Sequence, residues 1–141
     1  MSHRSHPSPA SPALAKRSGV LRAWFALRHS CAGISATLRS ESAFRQESAF
    51  ALILIPTAVF IPIGPVERVL LISSVLLVLL VELMNSAIEA VVDRISLDRH
   101  ELSGRAKDCG SAAVMIALLI CALTWGVLCG PLLIHWLQRH V

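Results

Sequence analysis

Residues Gly110 to Leu137 run without a single Asp, Glu, Lys or Arg. A helix needs roughly 17–25 apolar residues to cross a bilayer core, so this stretch is long enough to span. Two further apolar runs precede it. Val69 to Val92 is also long enough, although it carries Glu82 and Glu89. Ala49 to Gly64 is slightly short and contains Pro56 and Pro62; extended back to Phe44 and forward to Val66 it suffices. In lipid only helices and closed barrels satisfy every backbone polar group. None of the runs alternates with period two, which removes the barrel. The expectation is an all-α membrane protein with three transmembrane helices, at about 44–64, 67–93 and 110–137, the prolines kinking the first.

Composition agrees. The chain has 55% hydrophobic and 16% charged residues, with a mean hydropathy of +0.66. A soluble domain carries about 25% charged residues, and disorder requires low hydrophobicity. The net charge of +4 does not imply nucleic acid, because aromatics are only 5% and Tyr is absent, leaving few platforms on which bases could stack. Cys31, Cys109, Cys121 and Cys129 show no CxxC spacing. They read as small buried apolar residues rather than a disulfide framework or zinc site.

Residues 1–18 are rich in Ser, Pro and Ala and read as a disordered tail ahead of a membrane domain over 19–141. A signal peptide is disfavoured because Arg22 and Arg28 interrupt the apolar segment it would need. Val20, Trp24, Leu27, Cys31, Ile34 and Leu38 follow at steps of four and three, one face of a helix. An amphipathic surface helix over 20–39 fits, lying on the membrane; a soluble helix packed on a partner is the alternative.

Basic residues set the orientation. Seven precede the first span (Arg4, Lys16, Arg17, Arg22, Arg28, Arg39, Arg45) and four lie between the second and third (Arg94, Arg99, Arg105, Lys107). Arg68 and Arg139 stand alone in the other two segments. The positive-inside rule puts the N-terminus and the 94–109 loop in the cytoplasm, and the C-terminus outside.

Glu82, Asn85, Ser86, Glu89 and Asp93 recur at steps of 3, 1, 3 and 4, a polar stripe down the second membrane helix. A charge at the bilayer centre costs about 2.5–3.5 kcal/mol on insertion scales, so such a residue is a functional candidate by default. Polar residues also tie helices together, and a proton-conducting bundle built on Glu82 and Glu89 is a third reading. Ahead of the first span lies Glu41-Ser-Ala-Phe-Arg-Gln-Glu47, which by itself reads equally as an interfacial turn with an Arg45–Glu41 pair. The loop Asp98-Arg-His-Glu-Leu-Ser-Gly-Arg-Ala-Lys-Asp108 offers cationic groups for phosphates, or ordinary cytoplasmic-side charge. Together these groups permit lipid phosphotransfer, since Mg²⁺ takes one or two carboxylates plus substrate phosphates and phosphoryl transfer needs mainly positioning and neutralisation. The chain has no GxxxxGK[ST], GxGxxG, HRD or DFG motif.

The segments 41–47, 81–94 (Val-Glu-Leu-Met-Asn-Ser-Ala-Ile-Glu-Ala-Val-Val-Asp-Arg) and 100–108 (His-Glu-Leu-Ser-Gly-Arg-Ala-Lys-Asp) resemble prokaryotic diacylglycerol kinase in order, spacing and membrane setting. The resemblance covers roughly Leu21 to Trp136. It implies an inner-membrane homotrimer whose subunits each carry a surface helix and three spans, and which phosphorylates diacylglycerol to phosphatidic acid with ATP and Mg²⁺ at the cytoplasmic face. By position, Glu82 matches the family's catalytic base, and Glu41 and Glu89 its metal-linked carboxylates and nucleotide contacts. Arg22, Asp98, Arg99, His100, Lys107 and Asp108 match nucleotide-site positions. His29 falls at another, where the family often has Tyr. Ala43, Phe44, Arg45, Gln46 and Glu47 match the lipid-side segment, Arg68 an outer lipid contact, and Asn85 and Ser111 polar positions of the active or lipid site. The second-helix motif and the loop look like the diacylglycerol-specific branch; a polyprenol such as undecaprenol is the alternative substrate.

Overall fold

The computed structural model describes residues 19–140; the 1–18 tail lies outside them. Every element is helical: α1 (Val20–Ser40), α2 (Ser42–Phe60), α3 (Pro65–Ile95) and α4 (Glu101–His140). The chain divides into two compact units between Gly33 and Ile34, within α1.

The described part of the first unit is the N-terminal half of α1. Gly19 opens it at φ +75°, a conformation glycine adopts without penalty, and its carbonyl accepts from the N–H groups of Arg22 and Ala23. Trp24, Leu27, Arg22 and His29 are exposed along this segment.

In the second unit α2, α3 and α4 are each long and apolar enough to cross a membrane. The central helix, α3, packs against both α2 and α4. The buried positions are mostly small or β-branched: Ala51 and Ala58 on α2, Leu71, Ser74, Val75 and Val78 on α3, Ala117 on α4. Small residues let helices approach closely where no hydrophobic effect drives them together. Ser74 donates to Leu71 O at 2.8 Å and reaches Cys121 Sγ at 3.7 Å on α4. The opposite flanks expose Leu52, Phe60, Leu123 and Val127, as lipid contact requires.

Pro56 sits inside α2. It has no N–H for the preceding turn, and beside it Thr57 Oγ1 donates to Ile53 O at 2.7 Å. Pro62 lies in the turn between α2 and α3. Pro65 takes the first position of α3, where its missing N–H costs nothing. Arg68 closes this turn by donating to Ala58 O, Ile61 O and Ile63 O at 3.1, 3.3 and 3.5 Å.

Three expectations need correction. The loop expected over 94–109 is only residues 96–100, because α3 runs to Ile95 and α4 starts at Glu101. Charged residues end a membrane span without ending a helix. Arg45 does not pair with Glu41; its guanidinium donates to Leu38 O and Arg39 O, both at 3.3 Å, satisfying carbonyls left open at the end of α1. None of the four free thiols is buried: Cys31 and Cys109 are exposed, Cys121 and Cys129 half-buried. In lipid an apolar side chain gains nothing from facing inward, so the soluble-protein rule does not transfer.

Candidate active site

The site is built on the Glu89 half of α3. Glu82 is 4% exposed, as buried as the apolar core around it. Three carboxylates, Glu89 on its own helix and Glu41 and Glu47 from the start of α2, lie within electrostatic reach of it. Glu41 is the N-cap residue of α2 in an extended conformation, yet its side chain makes no capping hydrogen bond. Asn85 stands between Glu82 and Glu89, and its Nδ2 donates to Glu89 Oε1 at 3.2 Å.

Among the described residues none of Glu41, Glu47, Glu82 and Glu89 is ion-paired; the ion pair there joins Lys107 Nζ to Asp93 Oδ1 at 2.5 Å. Gathering carboxylates in apolar surroundings with none of them directly ion-paired is unfavourable. Such a donor set fits a divalent cation. Among the described residues no three His, Cys, Asp or Glu side chains make a ready-made metal cage.

Beyond Glu89 the polar stripe meets α4. Asp93 holds Lys107 across the two helices, and Glu89 is also within reach of the ammonium. Around this pair opens a cavity of about 460 Å³, lined also by Ser96, Asp98, Arg99, His100, Ser103 and Gly104. Its volume is that of a small-molecule site. The five-residue loop is tied at both ends. Ser96 Oγ accepts from Asp98 N–H at 2.9 Å, and His100 Nδ1 accepts from Leu102 N–H at 3.2 Å. His100 thus caps α4 and also lines the cavity.

A second cavity, of about 280 Å³, lies between α2 and α4 with α3 as its floor. Glu47, Phe50 and Leu54, Val75 and Val78, and Leu118, Cys121, Ala122 and Trp125 line it. Within this apolar groove Glu47 Oε2 and Trp125 Nε1 are buried without hydrogen-bond partners. Unpaired polar atoms in such a setting are rare and point to a missing polar partner.

The residues singled out from the sequence therefore fall into groups. Glu41, Glu47, Glu82, Asn85 and Glu89 converge. Asp98, Arg99, His100 and Lys107 line the loop cavity, while Asp108 and Ser111 are exposed on α4 outside it. Phe44 is buried in the helix packing, Ala43 and Gln46 are exposed, and Arg45 and Arg68 hold backbone carbonyls. Arg22 and His29 belong to the first unit and are exposed there. Sequence reading missed Trp125, Gly110 and the Asp93–Lys107 pair. Trp125 had a signal, since a Trp deep in a chargeless run departs from the interfacial preference of that residue.

Comparison with known proteins agrees with this architecture. The model of the prokaryotic diacylglycerol kinase family matches residues 28–129. The chain belongs to that family. Among proteins of the family it is 51% identical over 110 residues to a diacylglycerol kinase of Escherichia coli (strain K12), covering 78% of this chain and 90% of that protein. To a diacylglycerol kinase of Haemophilus influenzae it is 50% identical, over 79% of this chain and 94% of the relative. To that of Pseudomonas aeruginosa it is 47% identical, over 79% and 91%. As a member of this kinase family it is an integral membrane protein, and the match spans Glu41, Glu82, Glu89 and Lys107 alike.

Proposed function

We propose that this protein transfers the γ-phosphoryl group of ATP to the free hydroxyl of diacylglycerol, giving phosphatidic acid and ADP. The observation that carries the reading is the buried Glu82 carboxylate, set among other carboxylates between an apolar groove and a polar cavity where Lys107, Arg99 and His100 stand beside Asp93, Asp98 and Glu101. The family's relatives bear the name diacylglycerol kinase.

In this mechanism the groove between α2 and α4 receives the lipid. Glu47 and Trp125, whose polar atoms lack partners, orient the glycerol portion. Glu82 lies one turn from Val78 of the groove floor, and it accepts the hydroxyl proton. The hydroxyl oxygen forms a bond to the γ-phosphorus while the bond from that phosphorus to the β–γ bridging oxygen breaks. Glu89 is seven residues further along α3, about 10 Å at 1.5 Å per residue, the offset needed for phosphates to lie beyond the reacting hydroxyl. Glu41 and Glu89 are the residues to hold Mg²⁺, which when bound neutralises phosphate charge. Lys107, Arg99, His100 and Asp98 are assigned to the nucleotide in the loop cavity they line. Arg22, His29 and Asp108 are assigned to the nucleotide, and Ala43–Glu47, Arg68 and Ser111 to the lipid side, from the family resemblance alone.

We place the loop and the N-terminus on the cytoplasmic side, where ATP is available and where most of the Lys and Arg lie, and take the working unit as a homotrimer. Chemical cross-linking in mild detergent tests the trimer, which a ladder stopping at two subunits rejects. The test of the activity is transfer of label from γ-³²P-ATP in mixed micelles holding diacylglycerol or undecaprenol. Labelled phosphatidic acid is expected. Label on undecaprenol alone replaces the substrate, and label on neither lipid from folded protein rejects the kinase reading for these acceptors.

A further inference from the structure

Gly110 is buried on α4 where that helix meets Asn85 of α3. A Cβ at Gly110 would collide with Asn85 Oδ1, with Cγ only 3.3 Å away and Asn85 Cα at 3.8 Å. The Asn85 backbone is at ordinary contact distance, so the space that glycine leaves here is taken by the tip of the Asn85 side chain. Asn85 Oδ1 faces this contact, and it is buried without a hydrogen-bond partner. The other end of the amide points the opposite way. Its Nδ2 donates to Glu89 Oε1 and is within reach of the Glu82 carboxylate. An amide nitrogen carries two N–H donors and its oxygen none. Turned around, the same group would aim a carbonyl oxygen at two carboxylates.

We infer that Gly110 is a positioning residue: its missing side chain leaves the space in which Asn85 sits with its N–H donors facing Glu82 and Glu89 and its oxygen facing away. Asn85 in turn links the proposed base to the proposed metal carboxylate, one helical turn from each. A methyl group at 110 meets the tip of a side chain before it meets backbone. The cheapest relief is rotation of the Asn85 amide, which breaks the link while the helices stay packed. The inference rests on the kinase reading for what that link does, not for its existence.

The experiment compares wild type, Gly110→Ala, Asn85→Ala and the double variant, with Gly126→Ala as control because nothing lies within 4 Å of that position. Two readouts are taken in detergent micelles. One is the side-chain amide ¹H–¹⁵N signal of Asn85, assigned by its loss in Asn85→Ala. The other is turnover with diacylglycerol and ATP. Gly110→Ala is expected to shift the amide signal and lower kcat about 10- to 100-fold, the range for one hydrogen bond to a charged group, with KM for ATP within about threefold. The double variant is expected to match Asn85→Ala, because the two changes remove one interaction, and Gly126→Ala to match wild type. An unmoved amide signal with wild-type turnover overturns the inference, as does a double variant in which the two losses multiply. If Gly110→Ala does not fold, the double variant decides alone: turnover at the Asn85→Ala level supports the contact and a further loss overturns it. A wild type that labels neither diacylglycerol nor undecaprenol rejects the kinase reading, and a shifted amide signal in Gly110→Ala still supports the positioning contact.

Discussion

Replacing Glu82 by Gln keeps the size and shape of the side chain and removes its capacity to take a proton. A positioned general base contributes about 10²- to 10⁴-fold to a rate, or about 3–5 kcal/mol at 1.36 kcal/mol per tenfold. Turnover is therefore expected to fall at least about 100-fold. Binding of ATP responds differently. Glu82 lies about 10 Å along α3 from Glu89 and does not line the loop cavity, so KM for ATP is expected to stay within about threefold. Stability supplies an independent sign. Two carboxylates about 10 Å apart repel by about 1–2 kcal/mol at an effective dielectric of 20, and Glu82 faces Glu89, Glu41 and Glu47 without an opposing cation. Removing its charge is expected to leave the thermal midpoint in detergent unchanged or raised. The assay pairs label transfer to diacylglycerol with thermal unfolding of the same preparation. Full turnover in Glu82→Gln refutes the base assignment. Lost turnover with a midpoint lowered by many degrees refutes it too, since the carboxylate would then be a structural tie between helices.

Other perturbations separate the remaining parts. Glu89→Gln is expected to raise the Mg²⁺ concentration for half-maximal activity by about tenfold or more, since one of few carboxylate donors is gone; an unaltered Mg²⁺ titration rejects the ligand role. Lys107→Gln is expected to raise KM for ATP about tenfold with kcat less affected, and an unchanged KM at low salt removes Lys107 from the nucleotide site. Arg68→Ala withdraws three hydrogen bonds from the α2–α3 turn and is expected to cost about 1–3 kcal/mol, read as a lower thermal midpoint. A raised KM for lipid at an unchanged midpoint would instead return Arg68 to a substrate role.

Much of this was legible in the sequence because lipid makes severe demands. A chargeless run such as 110–137 has one stable backbone solution, and a carboxylate at position 82 is conspicuous against Val and Leu on either side. Helical periodicity by itself puts Glu82, Asn85 and Glu89 on one face. The features that sequence did not disclose depend on contacts between helices. Arg45 and Arg68 look like free cations until the open carbonyls at the helix ends are located. Asp93 and Lys107 lie fourteen positions apart, and no local pattern pairs them. Gly110 looks like any small residue in a membrane helix until Asn85 is found against it.

The early start of α4 explains how the site combines two solvents. Its 40 residues extend about 60 Å at 1.5 Å per residue, twice the roughly 30 Å of a hydrocarbon core. The 31 residues of α3 extend about 46 Å. Both helices must therefore project from the bilayer, and they project together at the end where Asp93 grips Lys107. Had residues 94–109 been an unstructured loop, Lys107 would have had no fixed height. On a continuous helix it lies one turn before Gly110, so the residue holding the proposed nucleotide cation and the residue seating Asn85 share one rigid element. On α3, Asp93, Glu89 and Glu82 descend about 16 Å from the charged rim to the buried interior, the span that the proposed mechanism sets between phosphate chain and lipid hydroxyl. A methyl group at Gly110 meets the tip of Asn85 before it meets backbone, so it turns the amide and leaves the α3–α4 packing in place, which is why it is expected to be felt in turnover rather than in the fold.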